Sequence, residues 1–434
     1  MERKAASMFA TYAMTGVLRG TFTAHARVDV GLLGELASAI SPELVAKTAV
    51  VAHAHASAQG QGTTLPAVLV ATLAARDVSM MERVFARVID DGPSLLTFCD
   101  AVRSGSLGRK SFGSAPRRAL RNWFSSRSPE AIFRQSIGRS PSMSDVIKMV
   151  RPAPRVASDV MKGNDQGESD AVREALYGYL VGKNVDRSKL PPLARALEDF
   201  KRLEGPGGPV PDLPLEMLTC LPLRTPHWTE LAKKMTFSQL RQHLSTLLRH
   251  GVLADPHVAE SVAERLSDAR AIARAKAKPY ALYNTLRAVK AHAPHVIVRA
   301  LEDAIELALG NVPAVRGGVT VAIDGSGSML GPLAGARRSS SDALRCIDVA
   351  TLVARAYESS KGEGITVAVS DSESASMNAN VHIDLQPRGV FPFEGDDVLC
   401  IAGFSDEVFD VIAAFARGDL DGERWLALIE QTTI

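Results

Sequence analysis

Several things are scarce in this chain of 434 residues, and each scarcity narrows what it is. Cysteine occurs four times, at Cys99, Cys220, Cys346 and Cys400, far apart and never as C-x-x-C. That excludes a zinc ribbon or a disulfide scaffold and fits a reduced, cytoplasmic protein. Long apolar runs are missing too. The longest, around Leu65 to Ala75, is about half of the roughly 20 residues that span a bilayer, and Thr72 breaks it. Met1-Glu2-Arg3-Lys4 carries some positive charge, but the stretch after it is interrupted by Thr11, Thr15 and Arg19, so no secretory signal and no membrane partner are expected. Aromatic residues make up only 5%, against 46% hydrophobic residues in all, so the core is built mainly of Ala, Leu and Val, a balance that suits helices. The formal net charge of +2 predicts no partner by itself. At about 150 residues per domain, this length accommodates two or three domains.

Charge is not scarce but segregated. Arg103 to Arg155 holds twelve Lys/Arg against two acids, whereas Lys361 to Ile434 holds fourteen acids against four bases. A basic block of that density attracts phosphates and releases their counterions, which makes nucleic acid the first partner to consider. The alternative at this level is a solvated helix face paired with the acidic C-terminal segment.

Up to about residue 310 the chain reads as short helices joined by tight connections. Ser41-Pro42-Glu43 and Asp255-Pro256 place a capping side chain before a proline at the first helical position, where no intrahelical N–H bond is lost. Ser79 with Glu82 and Thr236 with Gln239 have capping-box spacing. Gly251 after His250 is a left-handed stop. Apolar stripes at helical spacing (Val30, Leu33, Ala37, Ile40; Leu240, Leu244, Leu247) suggest a helical-repeat array in which each pair buries its apolar face on the next. Residues 203–214 form a Pro/Gly-rich loop.

The texture changes at Val312-Pro313. Val319 to Ile323, Ile365 to Ser370, Val381 to Leu385 and Val398 to Ile401 read as strands, with helices at Asp342 to Glu358 and Asp406 to Arg417. Alternation of this kind implies a parallel α/β sheet. The expected division is therefore 1–312, a helical module, and 313–434, a small α/β domain.

Directly after the first of those strands comes Asp324-Gly325-Ser326-Gly327-Ser328. Loops at the carboxyl ends of parallel strands are where such sheets bind ligands. A carboxylate and two hydroxyls on a glycine-loosened turn suit a small hard cation such as Mg²⁺, with Asp371, after the strand Ile365 to Ser370, as a further ligand. Neither a G-x-S-x-G elbow nor a Walker lysine is present. The other reading is an ordinary Ser/Gly-rich turn.

The D-x-S-x-S pattern resembles the metal-ion-dependent adhesion site of a von Willebrand factor A domain. Behind a helical array, it makes the chain similar to the Ro/Rsr ring proteins, in which a TROVE module precedes such a domain. The resemblance rests on Phe9-Ala10-Thr11-Tyr12 with Gly16 and Gly20, Arg117 to Leu120 before Trp123, Asp145 to Val150, Glu216 to Thr219, Leu247 to Val252, and Gly403-Phe404-Ser405-Asp406 with Val408 to Val411. These matches run from about residue 8 to the end.

The resemblance implies a fold and a function. The fold is a HEAT-like α-helical repeat ring followed by a shortened, Rossmann-like von Willebrand A domain. The function is that of a non-catalytic, monomeric ring binding small non-coding, Y-type RNA on an outer basic surface and single-stranded 3′ ends of misfolded RNA in a central hole. The resemblance also implies an exoribonuclease or other protein as a partner through the A domain, and no DNA specificity is expected. Arg134, Gln135, Arg139 and Lys148 fall where the family lines the hole, and Arg117, Arg118 and Arg121 lie just before; Arg151 belongs to the same basic run. His243, Arg249 and His250 read more simply as helix-surface or capping residues. Two departures stand out. The family's Gly-Gly-Thr loop, which completes the metal site, is missing, and Met143 stands where animal members often carry a histidine. The alternative function is a protein-interaction scaffold that grips a partner carboxylate through a cation in the A domain. A metal hydrolase built on Asp371 and Glu373 lacks a histidine nearby in sequence.

Overall fold

The computed structural model describes residues 2–18, 20–24, 29–59, 64–136, 142–154, 166–202, 210–315, 319–333, 344–359, 365–370, 381–384 and 398–434. Among these are 21 α-helices and five short strands. The chain forms two compact units. The first comprises Met1–Met14, Arg27–Leu223 and Asp421–Ile434, and the second Thr15–Ala26 and Arg224–Leu420. The change from helices to strands thus falls inside the second unit, and the last helix belongs with the first.

In the first unit the helix Thr64–Arg76 is the organising element. Its nine residues from Pro66 to Ala74 are all buried, because the helices Val30–Ser38, Pro42–Gln59, Val78–Val88 and Gly92–Arg103 pack around it. A helix that is apolar on every side needs neighbours on every side, and Thr72 satisfies its hydroxyl within the helix by donating to Leu69 O at 2.7 Å. The apolar run at Leu65 to Ala75 is therefore a core helix. Among the described residues no helix is long and apolar enough to cross a membrane. Its neighbours are amphipathic. Met81, Val84, Phe85 and Val88 face inward from Val78–Val88, and Ala115, Ala119, Leu120, Trp123 and Phe124 from Ser114–Ser125.

Starts and stops follow the capping chemistry with one correction. Leu44 N donates to Ser41 Oγ, and His257 N to Asp255. Thr236 and Gln239 close a reciprocal box. The helix Phe237–Arg249 ends before Gly251, at φ 69°. The box at Ser79 and Glu82 does not form. Asp77 caps that helix by accepting from Met80 N at 3.0 Å, since a carboxylate two residues earlier reaches the first-turn N–H groups better. The last helix, Gly422–Glu430, lies on Pro42–Gln59. It begins with glycine because a Cβ there would meet Ser7 O at 2.3 Å.

The second unit begins with helices (Thr225–Lys234, Phe237–Arg249, Pro256–Leu266, Pro279–Val289 and His295–Leu309) and continues into strands. We number the strands β1 (Thr21–Thr23), β2 (Val319–Asp324), β3 (Ile365–Ser370), β4 (Val381–Asp384) and β5 (Leu399–Ala402). The described strands pair with one another in parallel. One sheet has the order β1-β5-β4, with β5 buried along its whole length, and β2 pairs with β3. The helix Cys346–Ser359 packs on β2 and β3, and Glu407–Ala416 packs on β5. The parallel sheet expected of an α/β domain is thus present. β1, contributed by a segment more than 290 residues upstream of β2, was not expected from the sequence.

Within this unit the segment Gly403-Phe404-Ser405-Asp406 joins β5 to the helix Pro279–Val289. Phe404 is buried, edge-on to Tyr280 and Phe409. The Asp406 carboxylate accepts from Tyr280 N and Ala281 N, each at 3.1 Å, at the start of a helix whose own cap, Lys278, offers no side-chain acceptor. A carboxylate meeting free N–H groups at the positive end of a helix is doubly favourable. Lys278 pairs with Asp410 one turn along the next helix. Burial raises the Asp406 carboxyl above its ordinary value of 3.8, against the lowering pull of the two N–H donors, Lys278 and Arg241.

Replacing Asp406 by Ala leaves two N–H donors without an acceptor and is expected to cost about 1–3 kcal/mol, while Asp406→Asn, which keeps one carbonyl oxygen, costs less. Because the folded carboxyl holds its proton more tightly than the unfolded one, the stability of the wild type relative to Asp406→Asn falls as pH rises through and above 3.8. Thermal melts of both variants at acidic and neutral pH measure this, and a gap moving the opposite way contradicts it.

Candidate nucleic-acid interface and metal site

The basic block lies in the first unit, and its arginines point outward for a simple reason. The helix Ser114–Ser125 buries one face, so Arg117, Arg118 and Arg121 occupy the other and are exposed. Arg117 and Arg121 are neighbours one turn apart. Arg118 pairs with Glu82 of the helix Val78–Val88, a surface ion pair. Arg121 donates from Nε to Val150 O at 2.9 Å, at the C-terminus of the helix Met143–Val150, where a cation meets the negative end of the dipole.

The remaining predicted positions divide. Arg134, the last residue of the helix Pro129–Arg134, and Lys148 are exposed. Arg151 is exposed and sits in the left-handed region at φ 49°, donating its backbone N–H to Ile147 O as it ends its helix. Gln135 is half-buried against Gly92, where a Cβ would come within 2.8 Å of Gln135 O, and its Oε1 is buried with no donor to it. It is packed more tightly than its neighbours. Arg139 lies outside the described residues. Met143, at the position of the family's histidine, is 1% exposed and part of the core. Asp145 is held ionised by the backbone N–H and hydroxyl of Ser142, which lower its pKa in a reciprocal cap.

One arginine of this surface was not singled out from the sequence. The Arg127 guanidinium lies over the Trp123 ring at 3.9 Å. It donates to Trp123 O and Ser126 Oγ, each at 3.1 Å, and to Asp90 O. The Trp-x-x-x-Arg spacing, one helical turn, was the available signal. Trp123 Nε1 is buried with no acceptor.

The second candidate site is in the second unit. β2 ends at Asp324, whose register partner across the sheet is Ser370 at the end of β3, so the carboxyl ends of the two strands lie side by side. Beyond Asp324 the chain turns into the short helix Gly327–Leu330. Ser326 N donates to one Asp324 carboxylate oxygen at 2.8 Å and Ser326 Oγ to the other at 2.9 Å, while the Ser326 and Ser328 hydroxyls are 2.8 Å apart. Asp324 and Ser328 are exposed and Ser326 is half-exposed, so the loop brings three oxygen-bearing side chains together at an accessible strand end. All-oxygen donors of this kind match Mg²⁺ in hardness. The set holds a single carboxylate, and among the described residues no group of three or more His, Cys, Asp or Glu gathers to hold a metal. Asp371 and Glu373 lie outside the described residues.

No protein-family model matches the chain, and no curated protein matches it. Among solved structures, the Ro (Rsr) protein of Deinococcus radiodurans aligns with a TM-score of 0.69 at 17% identity, covering 96% of this chain and 100% of that one. Agreement over nearly the whole of both backbones at so low an identity is agreement of fold. The helices and the parallel strands stand in the expected order, and the likeness extends over nearly the whole backbone: this chain has the Ro/Rsr fold.

Proposed function

We propose that the chain is a non-catalytic RNA-binding protein of the Ro/Rsr type, using the basic surface of its first unit, with small structured RNAs and single-stranded 3′ ends of misfolded RNA as ligands. The observation that carries this reading is the outward set Arg117, Arg118, Arg121, Arg134, Lys148 and Arg151, gathered on consecutive helices of one unit in the densest basic stretch of the chain. Such contacts reach phosphates, so binding is strong, steeply salt-dependent and largely indifferent to base identity. That property suits capture of diverse RNA ends, either for quality control or for presentation to an exoribonuclease.

A second reading concerns the loop at Asp324. Asp324, Ser326 and Ser328 would hold a divalent cation whose open coordination position takes a partner carboxylate, with Asp371 as a further ligand of the same reading. Its support is the convergence of one carboxylate and two hydroxyls within hydrogen-bond distance of each other. The absent Gly-Gly-Thr loop leaves that coordination shell to be filled by water or by a partner.

Titration of a labelled duplex with and without a 3′ single-stranded tail, at two salt concentrations and with Mg²⁺ or EDTA, tests both. Salt-dependent, EDTA-indifferent binding that favours the tailed RNA supports the first reading. In the Arg134→Glu, Arg139→Glu double variant binding weakens nearly uniformly across RNA sequences, and the slope of log affinity against log salt flattens by about 1.4 if both residues contact a single strand. Unchanged binding by the folded double variant removes these two residues from the interface. For the second reading, Asp324→Ala abolishes Mg²⁺ binding in calorimetry and leaves the helical circular dichroism intact; loss of helicity would make the loop structural.

A further inference from the structure

Between the helices Val78–Val88 and Ser114–Ser125 of the first unit runs an open groove of about 640 Å³. Its floor is apolar, formed by Phe85, Ile89, Ala119 and Trp123. Most of its polar groups come from one side, where Arg118, Asn122 and Ser126 follow each other at four-residue intervals, about 6 Å per step along the helix. Arg127 closes one end with its guanidinium fixed on the Trp123 ring. Glu82 is the lone acid of the lining, and it is held by Arg118.

We infer that this groove takes one nucleotide of single-stranded RNA, the base lying on the apolar floor against Asn122 and the phosphate replacing Glu82 as the partner of Arg118. The inference rests on the RNA-binding reading above and gives it a base-contacting site. Three features select the occupant. The wall from Ala101 to Pro129 has seven Lys/Arg and no acid, and although Glu82 and, beside Arg127, Asp90 and Asp91 oppose it from the other wall, that wall favours a polyanion. The carboxamide of Asn122 offers both a donor and acceptors, as the edge of a base does. The combination of an apolar floor with a flanking cation suits a base that has left its stack, since in duplex RNA the base faces are stacked and the Watson–Crick edges paired. Trp123 adds a buried indole N–H that meets no acceptor in the protein.

Glu82 then acts as a competitor. A surface ion pair is weak enough for a phosphate to displace it, and the groove admits RNA by exchange of one anion for another at Arg118.

The test uses the full chain and fluorescence anisotropy with three probes: a short oligouridine, an abasic oligonucleotide of the same length and charge, and an oligoglutamate peptide. Ala86 is exposed on the wall opposite Asn122, so Ala86→Phe fills the groove without entering the core; Asn122→Ala is the milder second variant. The expected result is a loss of roughly tenfold or more in oligouridine affinity for Ala86→Phe, a smaller loss for Asn122→Ala, and no change for the abasic probe with either. Glu82→Gln is expected to tighten both oligonucleotides about two- to fivefold by freeing Arg118. If both groove variants bind oligouridine as the wild type does, the groove is not a nucleotide site, while the RNA-binding reading stands. If filling the groove abolishes oligoglutamate binding and spares oligouridine, the occupant is an acidic peptide and the inference is overturned. If the wild type binds no RNA in a salt-dependent way, the broader reading fails and takes this one with it.

Discussion

The structure depends on each helix having one face to bury and on that burial being settled before charge is considered. Fully burying a large apolar side chain is worth about 1.5–3 kcal/mol, several times an exposed ion pair. On Ser114–Ser125 the apolar set Ala115, Ala119, Leu120, Trp123 and Phe124 therefore chooses the inner face, and Arg117, Arg118 and Arg121 are left outside as a consequence. The same rule taken to its limit gives Thr64–Arg76, which has no polar face and is enclosed by four helices. The outward placement of these arginines is thus a product of core packing in the first unit, and among the described residues only Arg118 of the three pairs with an acid, Glu82.

The second unit uses charge in the opposite way. There the Asp406 carboxylate is desolvated and its work is internal: it completes the first turn of Pro279–Val289 and so ties β5 to the helices of its own unit. The Asp324 loop, in contrast, keeps its carboxylate at the surface with two hydroxyls as company. These two aspartates of the same unit, one the last residue of β2 and one beyond the end of β5, differ first in burial. The buried carboxylate of Asp406 is satisfied by two backbone N–H groups of another helix, whereas the exposed one of Asp324 is met by the N–H and hydroxyl of Ser326 in its own loop.

Much of this was legible in the residues. The caps at Ser41 and Asp255 and the box at Thr236 are local, and local chemistry survives into the fold. The strands flanking Asp324 are continuous β-branched runs between turns, a pattern that leaves few alternatives. What escaped was non-local or too short to show a period. Thr21–Thr23 has three residues, fewer than an alternation needs, and becomes a strand because β5 offers it an edge, with Cys400 N donating to Gly20 O. The last helix belongs to the first unit because Gly422 allows close approach to Ser7, a contact no neighbouring residue announces. Of the candidate site, the exposed arginines follow from amphipathic spacing. Burial of Met143 and the tight packing of Gln135 do not, since both depend on what the facing helix supplies.

How a surface poor in acids remains folded is answered by where its guanidinium groups donate. Arg109 bonds Ser111 O and Ala74 O, Arg121 bonds Val150 O, and Arg127 bonds Trp123 O and Asp90 O. Carbonyls accept these hydrogen bonds without cancelling the charge, and several stand at helix ends where an unmet acceptor would otherwise face solvent or core. A carboxylate in the same place would stabilise the fold similarly but remove the field. By donating to backbone oxygens, the arginines satisfy helix termini and keep their full positive charge, so the interactions that hold this surface together are the ones that leave it able to attract a phosphate chain. Arg118 differs from Arg109, Arg121 and Arg127 in having a carboxylate partner, Glu82, and for that reason it is the member of the set whose charge an incoming anion must first release.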